Sequence, residues 1–177
     1  PDTPLEETLQ AMVDIVRAGK ALYVGISNWP LEALRFGIDY LKRHDTPLLI
    51  YQGKLNMLDQ TPIEEGILDC CYEAGVGFIA FSPLAQGMLT DRYLNGIPKD
   101  SRMSKGKFLR EEMLTPELLQ QLRQWNEEAQ KKGESLAEMA LAWILKQKGV
   151  TSVLVGASSM EQLARNLQGI KAQAPDQ

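Results

Sequence analysis

The chain has 177 residues, 44% of them hydrophobic and 24% charged, with a formal net charge of -4. That composition supplies an ordinary soluble core, and the acidic balance excludes a broad nucleic-acid footprint, which needs a clustered excess of Lys and Arg. No apolar run approaches the roughly 20 residues that cross a bilayer and the first residues carry no secretory signal pattern, so a cytoplasmic protein without a membrane or nucleic-acid partner is expected.

Thr3-Pro4-Leu5-Glu6 has the form of a capping box with proline at the first helical position, and Leu5, Leu9, Met12, Val13 and Val16 follow at helical spacing until Gly19. Ala21 to Ser27 is short, β-rich and mostly apolar, as in a strand buried on both faces. Asn28-Trp29-Pro30 ends it, and Leu31, Leu34, Ile38 and Leu41 mark a helix that runs out near Lys42-Arg43-His44. A second strand is predicted over Leu48 to Gln52, then a helix opened by Thr61-Pro62-Ile63-Glu64 and closed at Gly75, then a third strand over Gly77 to Ser82. The only cysteines, Cys70 and Cys71, are adjacent inside that apolar helical stretch, which argues for a structural role and against a disulfide or a metal site.

Pro83 to Leu114 is long for a plain connection and carries Gly87, Gly96, Pro98 and Gly106 among Arg92, Lys99, Arg102, Lys105, Lys107 and Arg110. Two amphipathic helices follow, one capped by Thr115 with Pro116 and one opened by Ser135-Leu136-Ala137-Glu138. A fourth strand, Thr151 to Val155, leads through Gly156-Ala157-Ser158-Ser159 into a last helix with Leu163, Leu167 and Ile170.

Strand-helix alternation with short turns implies a parallel sheet. A doubly wound sheet would present G-x-G-x-x-G after an early strand, and no strand-helix turn here does, so a β/α barrel is favoured and the informative residues stand just past each strand. These are Ser27-Asn28, Gln52, Phe81-Ser82-Pro83-Leu84 and Gly156-Ala157-Ser158. Ser, Asn and Gln offer the donors and acceptors that suit a carboxamide, and Phe81 offers a flat face to a heteroaromatic ring. Taken singly, each reads as readily as a loop or core residue. The turn into the last helix exposes free N–H groups and the positive end of a helix dipole, an anion site to which Ser158, Ser159 and Gln162 add donors and Arg92 or Arg102 add charge. Simple N-capping and solvated arginines are the alternatives. No predicted strand contains a lysine, which argues against a Schiff-base aldolase.

Val24-Gly25-Ile26-Ser27-Asn28-Trp29, Phe81-Ser82-Pro83-Leu84-Ala85-Gln86-Gly87 and Val153-Leu154-Val155-Gly156-Ala157-Ser158 together resemble the aldo-keto reductase family, most closely the branch of potassium-channel β-subunits and bacterial glyceraldehyde-phosphate or methylglyoxal reductases. The resemblance implies an α/β fold, a (β/α)8 TIM barrel that reduces small aldehydes or ketones to alcohols with NADPH/NADP+ bound in an extended form. Residues 1–177 would form roughly strands 5 to 8 and their helices, the C-terminal part of a single barrel domain without an internal boundary. By the same resemblance Ser27, Asn28 and Gln52 hold the nicotinamide carboxamide and Phe81 stacks on the nicotinamide ring. Ser82, Leu84 and Gln86 line the pyrophosphate in a run that also brings Pro83 and Ala85 to the cofactor, with Arg92 and Arg102 adding charge from the long loop. Ser158 and Gln162 match positions at the adenosine 2′-phosphate, Asn166 matches a residue at the adenine, and Trp29 borders the small carbonyl substrate. Gly156 stands where many members have a lysine that pairs with the 2′-phosphate, and Arg165 where an acidic or amide residue often meets adenine.

In that family the proton donor is a tyrosine assisted by an aspartate, a lysine and a histidine, all from the first four strands. Tyr23, Tyr40, Tyr51, Tyr72, Tyr93 and His44 match none of these positions, so no catalytic residue and no metal site are placed in the chain, and the chain alone is expected to be inactive. A full barrel takes about 250 residues and four strands leave two unpaired edges, so the missing half is expected upstream; homo-oligomerisation is left open. The competing reading is a non-catalytic NADP(H)-sensing or partner-binding module of the channel β-subunit type.

Overall fold

The computed structural model describes residues 3–96 and 114–171. The chain divides into two compact units: one comprises the chain up to Leu55, Asp59–Phe81 and Gln147–Val153, and the other Asn56–Leu58, Ser82–Lys146 and the chain from Leu154 on.

The first unit is a four-stranded sheet in the order β1 (Val24–Ser27), β2 (Leu48–Lys54), β3 (Gly77–Phe81), β4 (Val150–Val153), every neighbouring pair parallel. Helices α1 (Leu5–Arg17), α2 (Leu31–Arg43), α3 (Thr61–Glu64) and α4 (Ile67–Ala74) fill the connections. The predicted parallel α/β order is therefore present. Register gives the sheet its two faces. Ile26, Tyr51 and Phe78 lie side by side and are all buried, while the next row, Ser27, Gln52, Ile79 and Ser152, points the other way. Tyr51 and Phe78 stack with ring centroids 5.6 Å apart, and Gly53, two residues beyond Tyr51, leaves room for both rings.

Several boundaries differ from the sequence expectation. Helix α1 starts at Leu5 with Pro4 as its extended N-cap, and Thr3 makes no capping-box bond; the Pro4 carbonyl instead accepts from the Thr8 N–H. β1 is shorter than predicted, because pairing opens at Val24 opposite Leu48, and the residue before Leu48 is Pro47, which has no N–H to extend the ladder. Leu22 and Tyr23, expected inside a buried strand, are 85% and 69% exposed. The predicted helix from Thr61 to Gly75 is broken into α3 and α4 by Gly66, whose φ of +75° is left-handed. β2 runs on to Lys54, so a strand does carry a lysine, and β4 spans Val150–Val153.

In the second unit, Leu89, Tyr93, Leu122, Leu136 and Ala140 form a core with Met88 and Leu94, each fully buried large side chain contributing on the order of 1.5–3 kcal/mol. It joins α5 (Pro116–Lys131) and α6 (Leu136–Leu145) to two short 3-10 turns, Ala85–Gly87 and Asp91–Tyr93. The Thr115 hydroxyl caps α5 by accepting from Leu118 N–H at 3.2 Å, and Ser135 with Glu138 forms the predicted capping box on α6. Arg123 of α5 donates Nε and Nη2 to the Leu94 carbonyl at 3.2 and 3.0 Å, tying down the chain that follows β3. Helix α7 (Met160–Lys171) packs on α6.

A β-carbon at Gly53 would lie 2.7 Å and 2.9 Å from Phe78 ring atoms and 3.0 Å from Tyr51. Gly53→Ala is therefore expected to cost about 1–3 kcal/mol by overpacking. Urea titration checks this: the midpoint should fall while the slope is unchanged.

Candidate functional site

In the first unit the strand ends bring three of the sequence-nominated residues to one face. Ser27 and Gln52 are register partners, and Phe81 lies on the same face one pleat further along, opposite Lys54. Ser27 is exposed, and Gln52 and Phe81 are partly buried. Asn28 follows in a left-handed conformation, φ +57°, and its N–H donates to the Gln52 carbonyl at 3.1 Å. That bond carries the β1–β2 pairing one residue past the strand while the chain turns away.

Trp29, expected to border the substrate, packs beside α2. Its ring lies 3.2 Å from where a β-carbon on Gly37 of α2 would stand, and its carbonyl accepts from the Tyr51 hydroxyl at 2.7 Å. It also lines an open cleft of 330 Å³ together with Tyr51, Lys54, Asp59, Pro62 and Glu65. Lys54 and Asp59 are ion-paired there at 2.8 Å. Burial alone would raise the Asp59 carboxyl, but hydrogen bonds from Lys54 and Thr61 and the Lys54 charge hold it below the usual carboxylate range. A Schiff-base lysine needs an apolar pocket or a cationic neighbour. Lys54 has neither arrangement: its side chain is 49% exposed and faces a carboxylate.

In the second unit, Ser82, Ala85 and Gln86 all take left-handed φ values of +53°, +46° and +59°, followed by Gly87 at +100°. Such values cost a non-glycine residue about 1–2 kcal/mol, so this turn is held by its surroundings. Pro83 and Ala85 are buried, Leu84 packs on the core, and Ala85 and Gly87 donate their N–H groups to the Ser82 and Leu84 carbonyls at 3.0 and 2.8 Å. Asn56, not nominated from the sequence, is fully buried and donates Nδ2 to the Ser82 carbonyl at 3.0 Å. Arg92 follows in the second 3-10 turn, its N–H donating to the Thr90 hydroxyl. Arg102 lies outside the described residues, as do Lys99, Lys105, Lys107 and Arg110.

At the start of α7 the donors proposed for an anion are engaged internally. Ser158 gives both its N–H and its hydroxyl to Gln162 Oε1, at 2.8 and 3.0 Å, and the Ser159 hydroxyl accepts from the Gln162 N–H at 3.2 Å. Ser159 is thus an ordinary N-cap. Gly156 is exposed and a β-carbon there would meet open space. Arg165 leans toward Glu161 at 3.9 Å on the exposed side of the helix. Asn166 is buried, 3% exposed, and its Nδ2 has no hydrogen-bond partner among the described residues.

Other reactive groups are committed to packing. Burial, then the charge of Cys70, pushes the Cys71 thiol up to about 12, and His44 stacks on Tyr40 at 4.3 Å while donating Nδ1–H to the Tyr40 carbonyl. Among the described residues no group of His, Cys, Asp and Glu could hold a metal ion, and no helix is long and apolar enough to cross a membrane.

The sequence pattern of the Aldo/keto reductase family matches residues 1–177. The chain is 49% identical over 173 residues to L-glyceraldehyde 3-phosphate reductase of Escherichia coli K12 and 50% identical over 173 residues to the protein of that name from Escherichia coli O157:H7. Each match covers 96% of this chain and 50% of the relative, so the chain spans about half the length of the curated relatives it matches. A thermostable aldo-keto reductase crystallised with the inhibitor epalrestat superposes with a TM-score of 0.68 at 28% identity, over 97% of this chain and 51% of that one. The parallel α/β architecture is therefore that of the aldo-keto reductase barrel.

Burial, then the charges of Cys71 and Glu65, pushes the Tyr51 hydroxyl up to about 12, and the O–H that it donates to the Trp29 carbonyl favours the neutral phenol in the same sense. A phenol held neutral more tightly in the folded state contributes stability that is complete below its unfolded value near 10 and is lost as pH rises through the folded value. Urea midpoints measured from pH 8 to 12 should therefore fall above pH 10. Tyr51→Phe should lower the midpoint at pH 8, by about 1 kcal/mol for the lost bond, and make the alkaline decline shallower.

Proposed function

The chain belongs to the aldo/keto reductase family, and on that premise we propose that it holds NADPH along its strand ends, as the cofactor-binding part of an oxidoreductase that reduces small aldehydes or ketones to alcohols. Residues 1–177 are read as part of one barrel domain in a cytoplasmic protein. The observation that carries the reading is Asn166. Buried amide donors are almost always paired, and an Nδ2 without a partner among the described residues is matched by the ring-nitrogen acceptors of an adenine.

The other strand ends support the same assignment. Ser27 and Gln52 present hydroxyl and amide groups to a carboxamide, and Phe81 offers a ring face one pleat away. The left-handed turn from Ser82 to Gly87 has the handedness pattern with which backbone forms anion-holding concavities, and it lines the diphosphate with Arg92 nearby in sequence. Ser158 would give its N–H and hydroxyl to the 2′-phosphate when Gln162 Oε1 releases them. When bound, the nicotinamide supplies the hydride for carbonyl reduction. The Tyr51 hydroxyl is committed to the Trp29 carbonyl and is not the proton donor, and no catalytic residue is assigned within this chain.

Titration of the full-length protein with NADPH and NADH, followed by tryptophan fluorescence, tests the reading. Asn166→Leu is expected to weaken NADPH binding about tenfold, ~1.4 kcal/mol, while raising the thermal midpoint, because it removes an unsatisfied buried amide. Gly156→Lys, sterically open, should shift preference further toward NADPH over NADH. Binding without turnover of any small carbonyl would favour a cofactor-sensing module, and no binding of either nucleotide would refute the proposal.

A further inference from the structure

Asn56 is fully buried, and both ends of its amide are used. Nδ2 donates to the Ser82 carbonyl at 3.0 Å and Oδ1 accepts from the Leu58 N–H at 2.9 Å. The same Ser82 carbonyl also accepts from Ala85 N–H at 3.0 Å, so both its lone pairs are taken. The plane of the peptide joining Ser82 to Pro83 is thereby fixed. Rotating it would strip Asn56 Nδ2 and Ala85 N–H of their acceptor, and buried donors without acceptors cost about 1–3 kcal/mol each.

That peptide leads into the strained turn. One residue earlier, Leu55 N–H donates to the Phe81 carbonyl in ordinary ladder fashion at 3.4 Å. At Ser82 the chain leaves the extended conformation for φ +53°. In an extended strand the Ser82 carbonyl would point to the opposite side from that of Phe81; with φ at +53° it instead lies within reach of the Asn56 side-chain amide, 3.0 Å away. That bond holds the chain out of the ladder at the start of the left-handed turn that Ala85 and Gln86 continue.

We propose that Asn56 is a positioning residue for dinucleotide binding: by clamping the Ser82 carbonyl it holds the Ser82 to Gln86 backbone in the shape that receives the cofactor's diphosphate. This rests on reading that turn as the diphosphate lining. Asn56 does not touch the cofactor; it acts through Ser82.

Asn56→Asp in the full-length protein separates this role from general support of the fold. The introduced carboxylate can still accept from Leu58 N–H but repels the Ser82 carbonyl, whereas its protonated form can donate to it again. The Kd for NADPH at pH 8 is expected to rise about tenfold relative to wild type, and, because burial at this fully buried position raises the introduced carboxyl above the usual carboxylate range, the ratio should shrink toward one as pH falls to about 5.5 and it takes up its proton. Adenosine 2′-monophosphate, which lacks the diphosphate, should bind variant and wild type equally at both pH values. An unchanged NADPH Kd at pH 8, or equal losses for both ligands without recovery at low pH, overturns the proposal. Should N56D fail to fold at pH 8, Asn56→Ser, with a shorter neutral donor, must show the same NADPH-only loss, and an unchanged Kd there is equally fatal. Wild-type protein that binds no NADPH would instead strike the underlying reading, which the wild-type arm reports separately.

Discussion

Tyr51 decides which face of the sheet goes to the helices. It lies between Ile26 and Phe78 in one register row, stacks on Phe78, and donates its hydroxyl to the Trp29 carbonyl. A parallel strand slipped by one residue exchanges its faces. Such a slip would bury the Gln52 amide where Tyr51 now packs and turn the large ring to the opposite side. Three separate contacts oppose it: the missing side chain at Gly53, the aromatic stack, and a hydrogen bond that leaves Trp29 anchored beside α2. With Tyr51 in place, Ser27, Gln52 and Phe81 share the other face.

A second feature of the strand ends is their backbone strain. Five non-glycine residues among those described have left-handed φ, and four of them, Asn28, Ser82, Ala85 and Gln86, stand directly past β1 and β3. The fifth, Asp45, closes α2. Strain of this kind persists only where neighbouring bonds over-determine the conformation. Asn28 is held by the Gln52 carbonyl, and Ser82 by a buried asparagine amide and the Ala85 N–H. The backbones turned out of the ladder at these strand ends are held there by ordinary hydrogen bonds from neighbouring groups.

The start of α7, where the proposed reading puts adenosine, is organised differently. There the donors are short-range and already satisfied, since Gln162 takes both groups of Ser158 and Ser159 caps the helix. A ligand has to exchange for these exposed bonds at little net cost, because intramolecular and ligand bonds of this type are each worth only about 0.5–1.5 kcal/mol. Asn166, buried and without a partner among the described residues, is the opposite case: under the proposed reading it would gain a bond without losing one.

What the sequence determined by itself was local. The capping box at Ser135 and Glu138, the left-handed Gly75 closing α4, the alternation of strands and helices, and the strand-end motifs all depend on contacts or φ preferences spanning a few residues, and these are legible in order along the chain. The break at Gly66 and the shortening of β1 opposite Pro47 also follow local chemistry, but their positions needed the partner segments. Only the tertiary structure decided which face Tyr51 would take, that Trp29 would lie along α2, and that Lys54 would end a strand beside Asp59. Only it matched Asn56 to Ser82, residues 26 apart in the chain. A buried polar side chain is committed by the one acceptor within its reach after packing, and nothing in its own sequence neighbourhood names that acceptor.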